Sequence, residues 1–177
     1  MEPTTTVGSR VMSEQPPLYA SAPGVMISSP GALSVLEVGV DHQRRHEAQH
    51  GTAHDLFLAH RLVCLGTGSP QLYYQFVVHD RPPTAPELSA AVAHETFDLE
   101  VLSGGLVVRD GYDLLEWEPD TEYQVAFALP ADSYHVTALF LADPPGHEGM
   151  RIALCLAATT EALEGDGWPY LEYVRRD

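Results

Sequence analysis

Bulky apolar residues occupy every second position in two stretches: Tyr123, Val125, Phe127 and Leu129, and Phe97, Leu99 and Val101 set against Thr96, Asp98 and Glu100. A period of two sends alternate side chains to opposite faces, so each stretch predicts a strand with one face in a core and the other in water. From Ala32 onward, short apolar segments recur between Gly, Pro and Asp at intervals of about 8 to 12 residues, the spacing of antiparallel β proteins. Strands are predicted at 33–40, 55–65, 71–79, 96–102, 106–109, 122–129, 134–142, 152–157 and 169–174. Little chain is left between them for helices, apart from one or two turns within 87–93. Eight or nine short strands predict an all-β fold, an antiparallel β-sandwich or jelly-roll-like pair of packed sheets.

Turn chemistry agrees with this division. Gly66-Thr67-Gly68-Ser69-Pro70, Ser103-Gly104-Gly105 and Asp143-Pro144-Pro145-Gly146 separate apolar runs, 81–86 reads as a Pro-rich loop, and Asp110-Gly111 suits a tight hairpin. Residues 1–30 hold Pro3, Pro16, Pro17, Pro23 and Pro30 among Thr and Ser, with few large apolar side chains. Such a segment buries too little surface to offset its ordering entropy, so a flexible arm is expected there and a single β-sandwich domain over 31–177.

Charge narrows the function classes. The 177 residues carry 25 acidic against 9 basic side chains, a formal charge of −16. All the basic residues are arginine, which leaves no lysine for a Schiff base and no basic face for nucleic acid. No apolar window is long enough to span a membrane, and no basic-then-apolar leader opens the chain. Cys64 and Cys155 both sit in apolar runs and read as buried free thiols in a reducing, cytoplasmic setting. A disulfide between them stays open, because sequence does not supply their separation.

Catalytic signatures are missing: there is no Gly-x-Ser-x-Gly elbow, no P-loop and no Gly-x-Gly-x-x-Gly. His94-Glu95-Thr96-Phe97-Asp98 has an aspartate where a zincin helix needs its second histidine. A non-enzymatic protein without a cofactor is therefore expected. The rival reading rests on His42, His46, His50 and His54, evenly spaced by four, where helical neighbours would hold Zn²⁺ or another transition metal. Against it, each step of four overshoots a helical turn, Gly51 weakens the helix, and a solvated polar connection accounts for the same residues.

The acidic residues are unevenly placed: 8 lie in residues 1–90 and 17 in residues 91–177. Asp110, Asp113, Glu116, Glu118, Asp120 and Glu122 cluster with no basic residue between them and Trp117 at their centre. A second aromatic and acidic group includes Trp168 and Tyr170. Acidic loops often serve solubility alone. The functional reading is an acidic surface with Trp117, Trp168 and Tyr170 as aromatic anchors, steering and then locking a basic protein partner such as a nuclease or other toxin.

The segment Leu129-Pro130-Ala131-Asp132-Ser133-Tyr134-His135-Val136 resembles the competence protein J-type nuclease inhibitors and related bacterial immunity-like β-sandwich proteins. In that group a strand ends in Leu-Pro and a Tyr opens the next. Leu129, Pro130 and Tyr134 match, and Asp132 stands where glycine is usual. The resemblance spans roughly residues 32–158 and implies a β-sandwich that binds and inhibits a partner protein. It carries over no contact residue and does not include the histidine segment.

Overall fold

The computed structural model describes residues 11–12, 15–68, 71–142, 149–165, 167 and 170–171. In chain order the elements are β1 (Val11–Met12), β2 (Leu18–Ala20), β3 (Gly24–Ser28), α1 (Pro30–Leu33), α2 (His42–Glu47), α3 (Thr52–Leu58), β4 (Leu62–Gly66), β5 (Leu72–His79), α4 (Ala85–Ala90), β6 (Ala91–Val101) and β7 (Leu106–Asp110). A 3-10 turn (Gly111–Leu114), β8 (Gln124–Phe127), β9 (Asp132–Leu141), β10 (Met150–Thr159) and β11 (Tyr170–Leu171) complete them.

Among the described residues the strands form two sheets. One runs β1-β5-β10-β9-β6 with β2 also on β5, and the other β11-β4-β3-β7-β8. Pairing is antiparallel except for β5 with β10 and β4 with β11. The all-β, sandwich-like expectation holds, and the alternating stretches follow their pattern except at Tyr123, which is exposed, and Phe97, which is partly buried. Val125, Phe127, Leu99 and Val101 lie in the core between the sheets, with Val25, Ile27, Phe76, Val136 and Leu154.

β3, β4 and β7 are largely buried on both faces. Met26, Leu62 and Val107 point outward, under a layer of Leu33, Leu36, Leu56, Phe57, Leu114 and Trp117. This second core corrects the reading of 33–40 and 55–65 as strands. Ser29 caps α1 by accepting from the Ala32 amide, with Pro30 in the first turn, and Leu33 and Leu36 share a buried face at helical spacing. In 55–65, α3 ends at Leu58, His60 takes a positive φ of 56°, and only then does β4 begin.

The arm predicted for 1–30 is likewise corrected for residues 15–30. Leu18, Ala20, Val25, Met26 and Ile27 are buried, and β3 lies between β4 and β7 at the centre of its sheet. Composition over thirty residues diluted a short apolar run whose backbone bonds are satisfied on both sides. Residues 1–10 lie outside the described residues.

β6 and β7 belong to different sheets, so the Ser103-Gly104-Gly105 turn carries the chain across the sandwich. Gly104 and Gly105 have φ of 81° and 83°, and a Cβ on Gly105 would collide with the Phe127 carbonyl oxygen.

Candidate functional site

The acidic segment following β7 is built from the inside outward. Arg109, the penultimate residue of that strand, lies on its outer face, 2% exposed, with its guanidinium 4.3 Å above the Trp117 ring. Its Nε donates to Asp113 Oδ2 at 2.7 Å, Nη2 to the Glu118 carbonyl at 2.7 Å and Nη1 to the Pro119 carbonyl at 3.4 Å. A planar fork of donors fits such a task, since it holds two successive carbonyls and a carboxylate from one fixed plane. The Trp117 backbone is tied from the other side, its carbonyl accepting from Gly39 at 2.9 Å and its amide donating to Val40 at 3.4 Å.

This corrects the role given to Trp117. The indole is 2% exposed and belongs to the core between sheet and helices. It anchors the loop to its own protein and offers nothing to a partner. Asp110 is also turned inward: its carboxylate accepts from the amides of Ser21 at 2.5 Å, Ala22 at 3.0 Å and Tyr112 at 3.0 Å. The last of these caps the 3-10 turn that replaces the predicted Asp-Gly hairpin. Asp113 is half-buried; burial pushes its carboxyl up while the Arg109 bond pulls it down.

Glu116, Glu118, Asp120 and Glu122 are exposed, and among the described residues none of them is in an ion pair. Beside them stand Tyr112, Leu115 and Tyr123, the last 62% exposed. The expected cluster of six carboxylates and an indole thus separates into two internal carboxylates, a core indole and four surface carboxylates. The aromatic groups that reach solvent are ones the sequence reading passed over. Alternation predicts Tyr123 in the core, but it precedes the first residue of β8 and is exposed. Trp168 lies outside the described residues, and of Tyr170 only the backbone pairing with Cys64 is described.

Of the four histidines, His42 and His46 lie in α2, His54 in α3, and His50 in the connection between them. Asp41 caps α2 by accepting from the Arg44 amide, and Gly51, at a φ of 92°, turns the chain into α3. His42 is buried with Nε2 3.0 Å from the Glu37 carbonyl. His50 is exposed, and His46 and His54 meet with their Nδ1 atoms 3.1 Å apart. Among the described residues no group of three or more His, Cys, Asp or Glu is placed to share a metal ion. The fourfold set read from spacing is not assembled, because a 3.6-residue turn and the break at Gly51 send His42 and His50 elsewhere.

A pocket of about 250 Å³ opens between α2, α3 and the 3-10 turn, with Gln43, His46, Phe57, Cys64 and Tyr112 among its walls. Both cysteines are free. Burial pushes the Cys64 thiol up to about 12 and Cys155 up to about 11, so neither is an activated nucleophile near neutral pH.

Two solved structures share this fold. One is ComJ from Bacillus subtilis, inhibitor of the DNA degrading activity of NucA, at TM-score 0.54 and 11% identity over 85% of this chain and 98% of that one. The other is the protein of crocagin biosynthetic gene J, at TM-score 0.50 and 18% identity over 84% and 98% of the two chains. No family model and no curated protein sequence matches the chain. Identities this low establish a common fold, in line with the resemblance carried by Leu129, Pro130 and Tyr134. Among the described residues, no helix is long and apolar enough to cross a membrane.

Proposed function

We propose that this chain is a non-enzymatic, immunity-like binding protein that inhibits a basic partner, a nuclease or a toxin of that kind. The observation that carries the reading is the loop pinned by Arg109, which presents Glu116, Glu118, Asp120 and Glu122 with no ion pair among the described residues, alongside the exposed Tyr112, Leu115 and Tyr123. Four uncompensated carboxylates set a negative field that steers a phosphate-binding surface into encounter. Exposed tyrosines on a fixed backbone then supply rigid contact area at low entropic cost. The fold it shares with ComJ, itself a nuclease inhibitor, supports the same reading.

The test uses the cation-exchange-retained fraction of the host's own extract, assayed for cleavage of labelled DNA and RNA. Added protein should suppress cleavage of at least one substrate in a saturable manner. The variant E116Q/E118Q/D120N/E122Q should need at least about tenfold more protein, chiefly through slower association, and Y123A should weaken inhibition through faster dissociation. W117F, which keeps the packing, should inhibit like the wild type. Undiminished cleavage of both substrates by the wild-type-treated fraction overturns the inhibitor reading, and full inhibition by the quadruple variant removes the acidic loop from it.

A further inference from the structure

The contact between His46 and His54 has a geometry that the proposed inhibition does not use. The two rings come from separate helices, α2 and α3, with centroids 5.1 Å apart and planes tilted by 37°, so they meet edge to edge at Nδ1. His46 is held in place by the Phe57 ring, 4.3 Å from it by centroids, and by the buried face of α2. His54 is half-exposed, which leaves the junction open to solvent on one side.

Two imidazole nitrogens bound to one first-row ion lie about 2.0–2.1 Å from it. At an N–N separation of 3.1 Å such arms subtend roughly 100°, between the octahedral and tetrahedral angles. We propose that His46 Nδ1 and His54 Nδ1 form a two-nitrogen site for a borderline transition-metal ion, Cu²⁺, Ni²⁺ or Zn²⁺, with water filling the remaining positions. Imidazole nitrogen suits these ions in preference to Mg²⁺ or Ca²⁺, and Cu²⁺ binds most tightly of the three. His42 and His50 are outside this site, which sets it apart from the regular four-residue spacing.

Without a metal, the same contact is an N–H···N hydrogen bond, and titration of the untagged full-length protein separates the two states. Calorimetry with CuSO₄ and with ZnCl₂ at pH 7.5 should show one saturable site, tighter for Cu²⁺. The frozen-solution EPR spectrum of the Cu²⁺ form should carry splitting from two nitrogens. H54Q, at the half-exposed position, should lose at least about tenfold in affinity and one nitrogen from the spectrum, while H50Q stays within about twofold of wild type. An unchanged circular dichroism spectrum and melting temperature show that H54Q is folded. The proposal is overturned if the wild type shows no 1:1 binding, or if H54Q binds as tightly and H50Q does not.

Discussion

A guanidinium that is 2% exposed persists in a protein interior only where its donors are matched, and Arg109 meets that condition with two carbonyls, one carboxylate and an indole face. Arg109→Met keeps an apolar stem but releases the Glu118 and Pro119 carbonyls and leaves Asp113 without its cation. It should destabilise the fold by about 3–5 kcal/mol, read as a lowered urea midpoint. Arg109→Lys should recover less than half of that loss, since an ammonium cannot hold two carbonyls and a carboxylate from one plane. Full recovery by lysine would mean that charge alone matters at this position. Sequence showed Arg109 only as the basic residue before a presumed turn. Its value comes from Trp117, Glu118 and Pro119, which return to it through a loop whose path is set by Gly39 and Val40 on a different segment.

Short elements here depend on their ends. Thr84 and Glu87 form a capping box on α4, and Arg81 adds a two-pronged ion pair to Glu87 at 2.6 and 2.8 Å. The Arg81 hydrogen bonds and the Thr84 backbone amide hold the Glu87 carboxyl well below the usual carboxylate range. A carboxyl depressed in the folded state stabilises fully above its unfolded value, about 4.3, and that contribution fades as pH falls below it. Glu87→Gln should therefore cost about 1 kcal/mol at pH 7, the pair being partly exposed, and the gap to wild type should narrow from pH 4.3 downward. Urea midpoints from pH 7 to pH 3 check this, and a gap of constant size would show that the cap works without its charge. The same box, Thr-x-x-Glu, is present in the sequence, and it starts α4 at Ala85, two residues before the turns expected within 87–93. Ser29-Pro30 before Leu33 was a comparable start signal for α1, hidden by a run of apolar residues that also fits a strand.

For the molecule as a whole, a formal charge of −16 opposes compaction. The four exposed carboxylates of the loop add to this, with no ion pair among the described residues to offset them. Replacing Glu116, Glu118, Asp120 and Glu122 by their amides should leave stability unchanged or raise it by up to about 1 kcal/mol in low salt, with the difference vanishing by about 0.5 M NaCl. Thermal melts at both ionic strengths test it, and a variant that melts lower in low salt would make these residues structural.

Period-two alternation and turn residues determined by themselves that the chain makes two sheets around an apolar core, because a strand's faces are assigned by local geometry alone. Charge composition likewise fixed the net negative balance of the chain, −16 with arginine as its only basic side chain. Which carboxylates face water was decided by tertiary structure: Asp110 is claimed by amides of the β2–β3 connection, Asp113 by Arg109, and the other four by nothing among the described residues. The same holds for Trp117, which packs with Leu33, Leu36, Leu56 and Phe57 from 60 to 84 residues earlier in the chain, and for His46 and His54, brought together by the turn at Gly51. Contacts between distant segments depend on where the backbone travels, and no local pattern of residues encodes that path.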